Sequence, residues 1–285
     1  MNHHKHVALF IIIFFSALSI NAQALEDLIS RGDAYAKNSE INKAIEVYKL
    51  ADALYPDNWK VSLKLSEIYL QEGNRLPKIY AEVNKSVSMR SGTEESKKED
   101  LRKLAEELKA AKLQKYENAL EYASKAVQLA PTESRAFLKR AAANVRIAAT
   151  EGIFTVTEVV DSIRSDIDKA LKIGNGGNAV QAMCHYFKAK LHYQICEEPG
   201  LVRSVVGLGW AETDTAIVEF QRAIELVPYL RRFYLDYAKA LIQNDDEEQA
   251  IEMLEKVKQC PENEEEDNEH LEEAKLLLSE LRDEE

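Results

Sequence analysis

The segment LEDLISRGDAYAKNSEINKAIEVYKLADALYPDN, residues 25–58, is the most informative part of this chain about its architecture. Its spaced residues follow the order G-x2-Y-x8-A-x3-Y-x2-A-x4-P and are Gly32, Tyr35, Ala44, Tyr48, Ala51 and Pro56. Gly32 and Ala44 are small enough for two helices to cross closely, while the two tyrosines fill the gap toward a neighbouring helix. Pro56 ends the second helix because proline cannot continue one. The segment therefore predicts a pair of antiparallel helices.

The second half of this pattern recurs further along the chain. The recurrences are Ala119, Ala123, Ala126 and Pro131; Ala216, Phe220, Ala223 and Pro228; and, less closely, Ala250, Leu254, Val257 and Pro261. Pro228 and Pro261 are 33 residues apart, close to the period of about 34 residues of a two-helix repeat. Because one helix pair alone leaves an apolar face exposed, we expect the pairs to stack on one another.

These residues resemble the tetratricopeptide-repeat (TPR) family. The layout also looks like bacterial relatives of the regulator-of-microtubule-dynamics TPR proteins, with one N-terminal repeat, a long charged insert and a terminal acidic stretch. The resemblance implies an all-α, right-handed helical solenoid of about five helix pairs. It also implies an adaptor without enzymatic activity. We place the repeat domain at 25–261 and an acidic capping helix and tail at 262–285.

Two segments interrupt the expected period, at 76–91 and 197–213. The second is long and apolar for a turn between two helices. It could pack over the solenoid edge, act as a lid near a binding groove, or form an edge strand. As a lid it would use Val205, Val206, Leu208 and Trp210. Under this alternative the protein would bind a small apolar ligand, with residues 199–210 closing over it.

The N-terminus has the pattern of a signal peptide. Lys5 precedes the apolar run Val7–Ile20, and Asn21-Ala22-Gln23-Ala24 follows with the small-x-small pattern of a cleavage site. The run is too short to cross a bilayer core of about 30 Å. We expect cleavage after Ala24 and a periplasmic or secreted protein without stable membrane insertion. No cysteine lies near the site, so a lipid anchor is not indicated, and an uncleaved N-terminal anchor is the alternative.

Composition and charge narrow the possible functions. The formal net charge of −12 opposes binding to nucleic acid phosphates. The 10 glycines and 6 prolines favour long helices. No Ser, His and Asp or paired-carboxylate arrangement stands out, so we do not expect an enzyme. The glycine-rich Gly174–Gly177 lacks the spacing of a phosphate-binding loop and is interpreted as a helix stop, with Asn178 capping the next helix.

Cysteine and histidine positions do not predict a metal or cofactor. Cys184 and Cys196 are 12 residues apart on one predicted helix, too far to bridge each other. A disulfide from either one to Cys260 stays open, and buried free thiols are the simpler expectation. His192 and Cys196 are four residues apart and could share a metal, but His185 lies too far along the helix to complete the site.

A basic stripe is the main candidate for partner binding. Arg135, Lys139 and Arg146 share one face of a predicted first helix. Comparable positions on later first helices hold Lys190, Arg232 and Lys239, with Tyr186 as an apolar anchor beside them. Such a groove fits a protein or an acidic peptide. The competing interpretation is a solvated or locally salt-bridged face.

Overall fold

The computed structural model describes residues 22–88, 94–152, 157–264 and 266–283. Those residues form α-helices joined by turns and short loops, and none of them lies in a strand. The prediction of an all-α fold is therefore confirmed. The chain divides into two compact units, residues 1–131 and 132–285, described separately below. Residues 1–21, which carry most of the predicted signal peptide, lie outside the described part.

The first unit consists of two helix pairs. Its described helices are α1 over 22–37, α2 (Ile41–Leu54), α3 (Trp59–Ser88) and α4 (Glu94–Leu129). The crossing of α1 and α2 follows the sequence prediction. Ala44 and Ala51 are fully buried, and Tyr48 is buried with its hydroxyl donating to Asp33 Oδ1 at 2.5 Å. A Cβ added at Gly32 would lie 2.2 Å from Tyr48 Cε1, so only glycine allows the ring to sit there.

The segment predicted as an insert at 76–91 is helical up to Ser88. It continues α3 through Pro77, and α4 is a single helix from Glu94 onward. Gly73 lies against Tyr116, whose hydroxyl donates to Asn74 Oδ1 at 3.1 Å. The extensive packing of α3 against α4 therefore compensates for the loss of the backbone hydrogen bond that Pro77 cannot donate.

The second unit contains three helix pairs and a capping helix. Its described helices are α5 (Ser134–Glu151), α6 (Thr157–Ile173), α7 (Gly177–Cys196), α8 (Gly200–Val205), α9 (Thr213–Leu226), α10 (Arg231–Gln243), α11 (Glu247–Gln259) and α12 (Asp267–Asp283). The pairs are α5 with α6, α7 with α9, and α10 with α11, and α12 packs on both α10 and α11. Phe220 and Ala223 of α9 are fully buried, as the repeat pattern predicts.

The glycine-rich turn ends α6 and also positions the start of α5. Gly174, Gly176 and Gly177 have φ values of 75°, 90° and 79°, which confirms the predicted helix stop. Asn175 Oδ1 accepts a hydrogen bond from the Ser134 amide at 2.8 Å, and its Nδ2 donates to the Thr132 carbonyl at the same distance. The N-cap of α7 is Gly176, so the prediction that Asn178 caps this helix is wrong.

The segment 197–213 forms a short helix, α8, flanked by turns. Arg203 Nη1 donates to the Ala211 carbonyl at 2.7 Å, which closes the segment on itself, and to Cys196 Sγ of α7 at 3.0 Å, which ties it to the end of that helix. This segment therefore has a defined place beside the end of α7. None of the helices in the described part is both long and apolar enough to span a membrane.

Candidate partner-binding surface

The first helices of the second unit form a continuous surface. α5 contacts α7, α7 contacts α10, and α10 contacts α12, while α6, α9 and α11 pack behind them. We call the side-chain surface shared by α5, α7, α10 and α12 the inner wall. Contacts with polar partners place Tyr186, Lys190, Arg232 and Lys239 on it. Helical spacing puts Arg135, Lys139 and Arg146 on one face of α5.

Asp236 of α10 is the centre of the inner wall. Its side chain accepts hydrogen bonds from Tyr186 Oη at 2.6 Å and from Lys190 Nζ at 2.7 Å, both at Oδ2. Lys239 lies 3.8 Å from the other carboxylate oxygen. Because Asp236 is only 6% exposed, this arrangement joins α7 to α10 through a buried, charge-assisted network.

The network shifts the pKa values of its members. Burial alone would raise the pKa of the Asp236 carboxyl, but the charge of Lys190 and the hydrogen bonds from Lys190 and Tyr186 outweigh burial and lower it. Burial raises the pKa of the Tyr186 hydroxyl, and the Asp236 carboxylate adds to this effect. Asp236 is therefore a carboxylate and Tyr186 a neutral hydrogen-bond donor at neutral pH.

Two further ion pairs continue the wall toward the capping helix. Arg232 Nη2 lies 2.9 Å from Glu264 Oε1, and its guanidinium carbon lies 5.5 Å from the centre of the Tyr186 ring. Lys239 Nζ pairs with Glu273 of α12 at 2.6 Å. Burial raises the pKa of Glu264, although the Arg232 charge acts against this shift. The positive charges at this end are thus balanced by carboxylates.

The α5 end of the wall is different. Arg135 and Arg146 are exposed, and neither makes an ion pair within the part of the second unit that the structure describes. Burial raises the pKa of the Tyr186 hydroxyl, and the nearby charge of Arg146 opposes this rise slightly, which places Arg146 beside Tyr186 on the same wall. Lys139 is half-buried on the same helix. The predicted basic stripe is therefore paired with carboxylates on α7 and α10, whereas Arg135 and Arg146 on α5 make no ion pair among the described residues.

Sequence reasoning missed the acidic partners on this wall. Asp236 lies four residues after Arg232 and three before Lys239, so its position on the same face of α10 could have been found from helical spacing. Glu264 and Glu273 give no such signal, since they belong to the acidic capping helix and tail and pair with residues of α10 that lie far away in the sequence.

The predicted lid residues do not share one environment. Leu208 is 1% exposed, whereas Val205 is 87% exposed, and Val206 is half-buried. The ring of Trp210 packs against Arg164, with 4.3 Å from the guanidinium carbon to the ring centre, and meets the His192 ring edge-on at 5.1 Å. Leu208 and Trp210 therefore pack on the unit, while Val205 points away from it.

The histidine and cysteine atoms considered for a metal have other partners. His192 Nδ1 accepts a hydrogen bond from the Glu212 amide at 3.1 Å, and burial lowers the pKa of this imidazole. His185 Nδ1 lies 2.5 Å from Glu219 Oε2. Cys184, Cys196 and Cys260 are all free thiols, and burial raises the pKa of Cys184 to about 12. No group of three or more potential ligands is suitably arranged among the described residues.

Comparisons with known proteins agree with this architecture. The family model "Regulator of microtubule dynamics protein 1-3" matches residues 96–282, and a tetratricopeptide-repeat model matches residues 28–58. No curated protein sequence matches the chain.

Two solved structures are among those similar to this chain. A thermophilic TPR protein of Thermus thermophilus is similar with a TM-score of 0.56 and 13% identity, over 88% of this chain and 99% of that one. MamA of Desulfovibrio magneticus RS-1 matches with a TM-score of 0.40 and 14% identity, over 82% of this chain and 93% of that one. The first likeness supports the TPR fold.

Proposed function

From the membership of this chain in the regulator of microtubule dynamics protein 1-3 family, we propose that it is an exported adaptor that binds a protein partner through its inner wall. TPR helix pairs serve as scaffolds for protein–protein interaction, because stacked first helices present a long continuous surface. The proposal includes export because the N-terminal sequence has the pattern of a signal peptide. It does not include microtubules, which an exported protein would not meet.

The observation that carries the proposal is the contrast between the two ends of the inner wall. The charges of Lys190, Arg232 and Lys239 are matched by Asp236, Glu264 and Glu273. Arg135 and Arg146 have no such match among the residues described, although the whole chain has a net charge of −12. Exposed guanidinium groups without carboxylate partners, on a protein that is acidic as a whole, favour an acidic partner segment. Such a segment would form charge-assisted hydrogen bonds with them.

The neutralised part of the wall has a separate role in this proposal. Tyr186 stacks on Phe233 with 4.8 Å between ring centres, and both rings lie under the Arg232 guanidinium. These contacts hold α7 and α10 together and keep the surface in one shape. A surface fixed before binding loses less conformational entropy when the partner arrives. We therefore assign recognition to α5 and support to α7 and α10.

A peptide-binding measurement tests this proposal. The probe is a fluorescein-labelled acidic peptide, Glu-Asp-Glu-Phe-Glu-Asp, with the mixed-charge analogue Lys-Asp-Lys-Phe-Glu-Lys as a second ligand that should bind more weakly. The variant Arg135→Glu/Arg146→Glu should bind the acidic probe at least about tenfold more weakly than the wild type. The matched control Lys172→Glu/Lys258→Glu makes the same change in net charge on α6 and α11 and should lose much less. Equal losses in the two variants would show that net charge alone governs binding and would refute the assignment to α5.

A further inference from the structure

A second candidate site lies in the first unit and is independent of the inner wall. A cleft of about 510 Å³ opens between the turn that joins α1 to α2 and the middle of α3. Residues 39–43 form one side, and Glu72, Arg75 and Leu76 form the other. Its size lies within the range of about 300–1,000 Å³ that is usual for sites holding small molecules.

Arg75 supplies the cleft with a charge that no carboxylate in the described part of the first unit balances. The other charged side chains are paired: Glu40 with Lys43, and Glu72 with Lys115 at 2.8 Å. Arg75 Nη1 donates to the Ser39 carbonyl at 3.1 Å, and the guanidinium makes no ion pair among the described residues of this unit. A guanidinium has five N–H donors, so this hydrogen bond leaves most of them for a ligand.

The Arg75 side chain is held in place by an unusual turn. Ser39 has a φ of 63°, in the left-handed region that residues other than glycine seldom occupy. The carbonyl of this residue is the acceptor for Arg75. A guanidinium fixed by a backbone acceptor loses little freedom when it binds a second group, which makes it a good receptor for the planar carboxylate.

Apolar surface lies beside the charge. The cleft is lined by Ile41 from the first turn of α2 and by half-buried Leu76 from α3. Glu40, at the start of α2, makes no side-chain cap to that helix, and its carboxylate pairs with Lys43 instead. The cleft therefore combines the guanidinium of Arg75, which has no carboxylate partner among the described residues of this unit, with the aliphatic side chains of Ile41 and Leu76.

From this geometry we propose that the cleft binds a carboxylate joined to an apolar group, with Arg75 holding the carboxylate and Ile41 and Leu76 contacting the apolar part. Two sources share this chemistry: the end of a peptide chain that finishes in an apolar residue, and a small aliphatic acid. In either case the Arg75 fork would hold both carboxylate oxygens.

The proposal is tested by titrating the purified protein with three probes while the backbone amide chemical shifts are followed by NMR. The probes are N-acetyl-Leu-Leu, its C-terminal amide and octanoate. N-acetyl-Leu-Leu should bind saturably, shift the amides of 39–43 and 72–76, and bind at least about tenfold more tightly than its amide. Binding of octanoate as well would identify small acids as a source, whereas binding of the peptide acid alone would identify chain ends.

Variants separate the role of Arg75 from general effects of charge. Arg75→Gln should weaken binding of N-acetyl-Leu-Leu about tenfold and leave the amide unaffected. Arg31→Gln, an exposed arginine of α1 outside the cleft, is the matched control and should bind like the wild type. Asn42→Asp puts a negative charge on the cleft wall without touching Arg75 and should also weaken the acid selectively. Equal binding of acid and amide, no binding of either acid, or unchanged binding in both cleft variants would overturn the proposal.

Discussion

The ring of Tyr48 fills the space that a side chain at Gly32 would need, since a Cβ at residue 32 would lie 2.2 Å from Tyr48 Cε1. This contact sets how closely α1 and α2 cross. Both residues can be identified from spacing alone, and their contact is the structural reason for the pattern. Its energetic consequence can be tested directly.

Gly32→Ala should destabilise the protein by about 1–3 kcal/mol, because the added methyl group forces the Tyr48 ring out of a packed position. The gain in helix propensity from replacing glycine offsets up to about 1 kcal/mol of this loss. The measurement is the free energy of unfolding in urea. Gly200→Ala is the control: the new Cβ would approach only Arg203 Nη2, at 3.7 Å, and stability should hardly change. Equal stability of Gly32→Ala and the wild type would contradict the packing.

The local part of the fold was predictable because short-range spacing encodes it. Ala44, Ala126 and Ala223 are fully buried where the pattern placed the helix crossings. The continuation of α3 through Pro77 was not predictable from the same pattern, because it depends on pairing with α4. Likewise, Tyr186 finds its acceptor Asp236 50 residues later, and no local rule links the two positions.

Asp236→Asn should destabilise the second unit by about 2 kcal/mol at pH 7, since hydrogen bonds to a charged group contribute about 1.5–3 kcal/mol and Lys190 would lose its partner. The pKa of Asp236 is lowered on folding, so its contribution is present above the unfolded pKa of about 4 and is lost as the pH falls through the folded value. The stability difference between variant and wild type should therefore shrink below about pH 4.

Thermal unfolding of both proteins from about pH 7 to about pH 2.5 measures this difference above and below the unfolded pKa of about 4. Asp168→Asn is a suitable control, because Asp168 is half-exposed and pairs with Lys188 at 3.3 Å. An exposed pair of this kind contributes about 0–1 kcal/mol. A stability difference for Asp236→Asn that stays constant as the pH falls would argue against an ionised, buried carboxylate at this position.

Asn175→Ala should reduce stability by about 1–2 kcal/mol, because it removes both hydrogen bonds that fix the start of α5. Asn178→Ala is the matched control. Asn178 is exposed in the first turn of α7 and is not its N-cap, so its loss should change stability by less than about 0.5 kcal/mol. Urea unfolding distinguishes the two, and equal effects would show that Asn175 is dispensable for α5.

Export predicts a specific N-terminus for the mature protein. If the signal peptide is cleaved after Ala24, the protein recovered from the exporting compartment should begin at Leu25. Cleavage there keeps Leu25, Leu28 and Ile29, which are buried in the first unit. Intact-mass spectrometry of the protein isolated from its native cell makes the measurement, and a mass that includes residues 1–24 would indicate an uncleaved anchor instead.

Capture of the native partner is the sharpest test of binding through the inner wall. The wild type, Arg135→Glu/Arg146→Glu and Lys172→Glu/Lys258→Glu are each purified on a tag from the native envelope, and the proteins retained with them are quantified by mass spectrometry. We predict a partner that the wild type and the α6/α11 control retain equally and that the α5 variant loses at least about tenfold. A partner retained undiminished by the α5 variant would contradict binding through the inner wall.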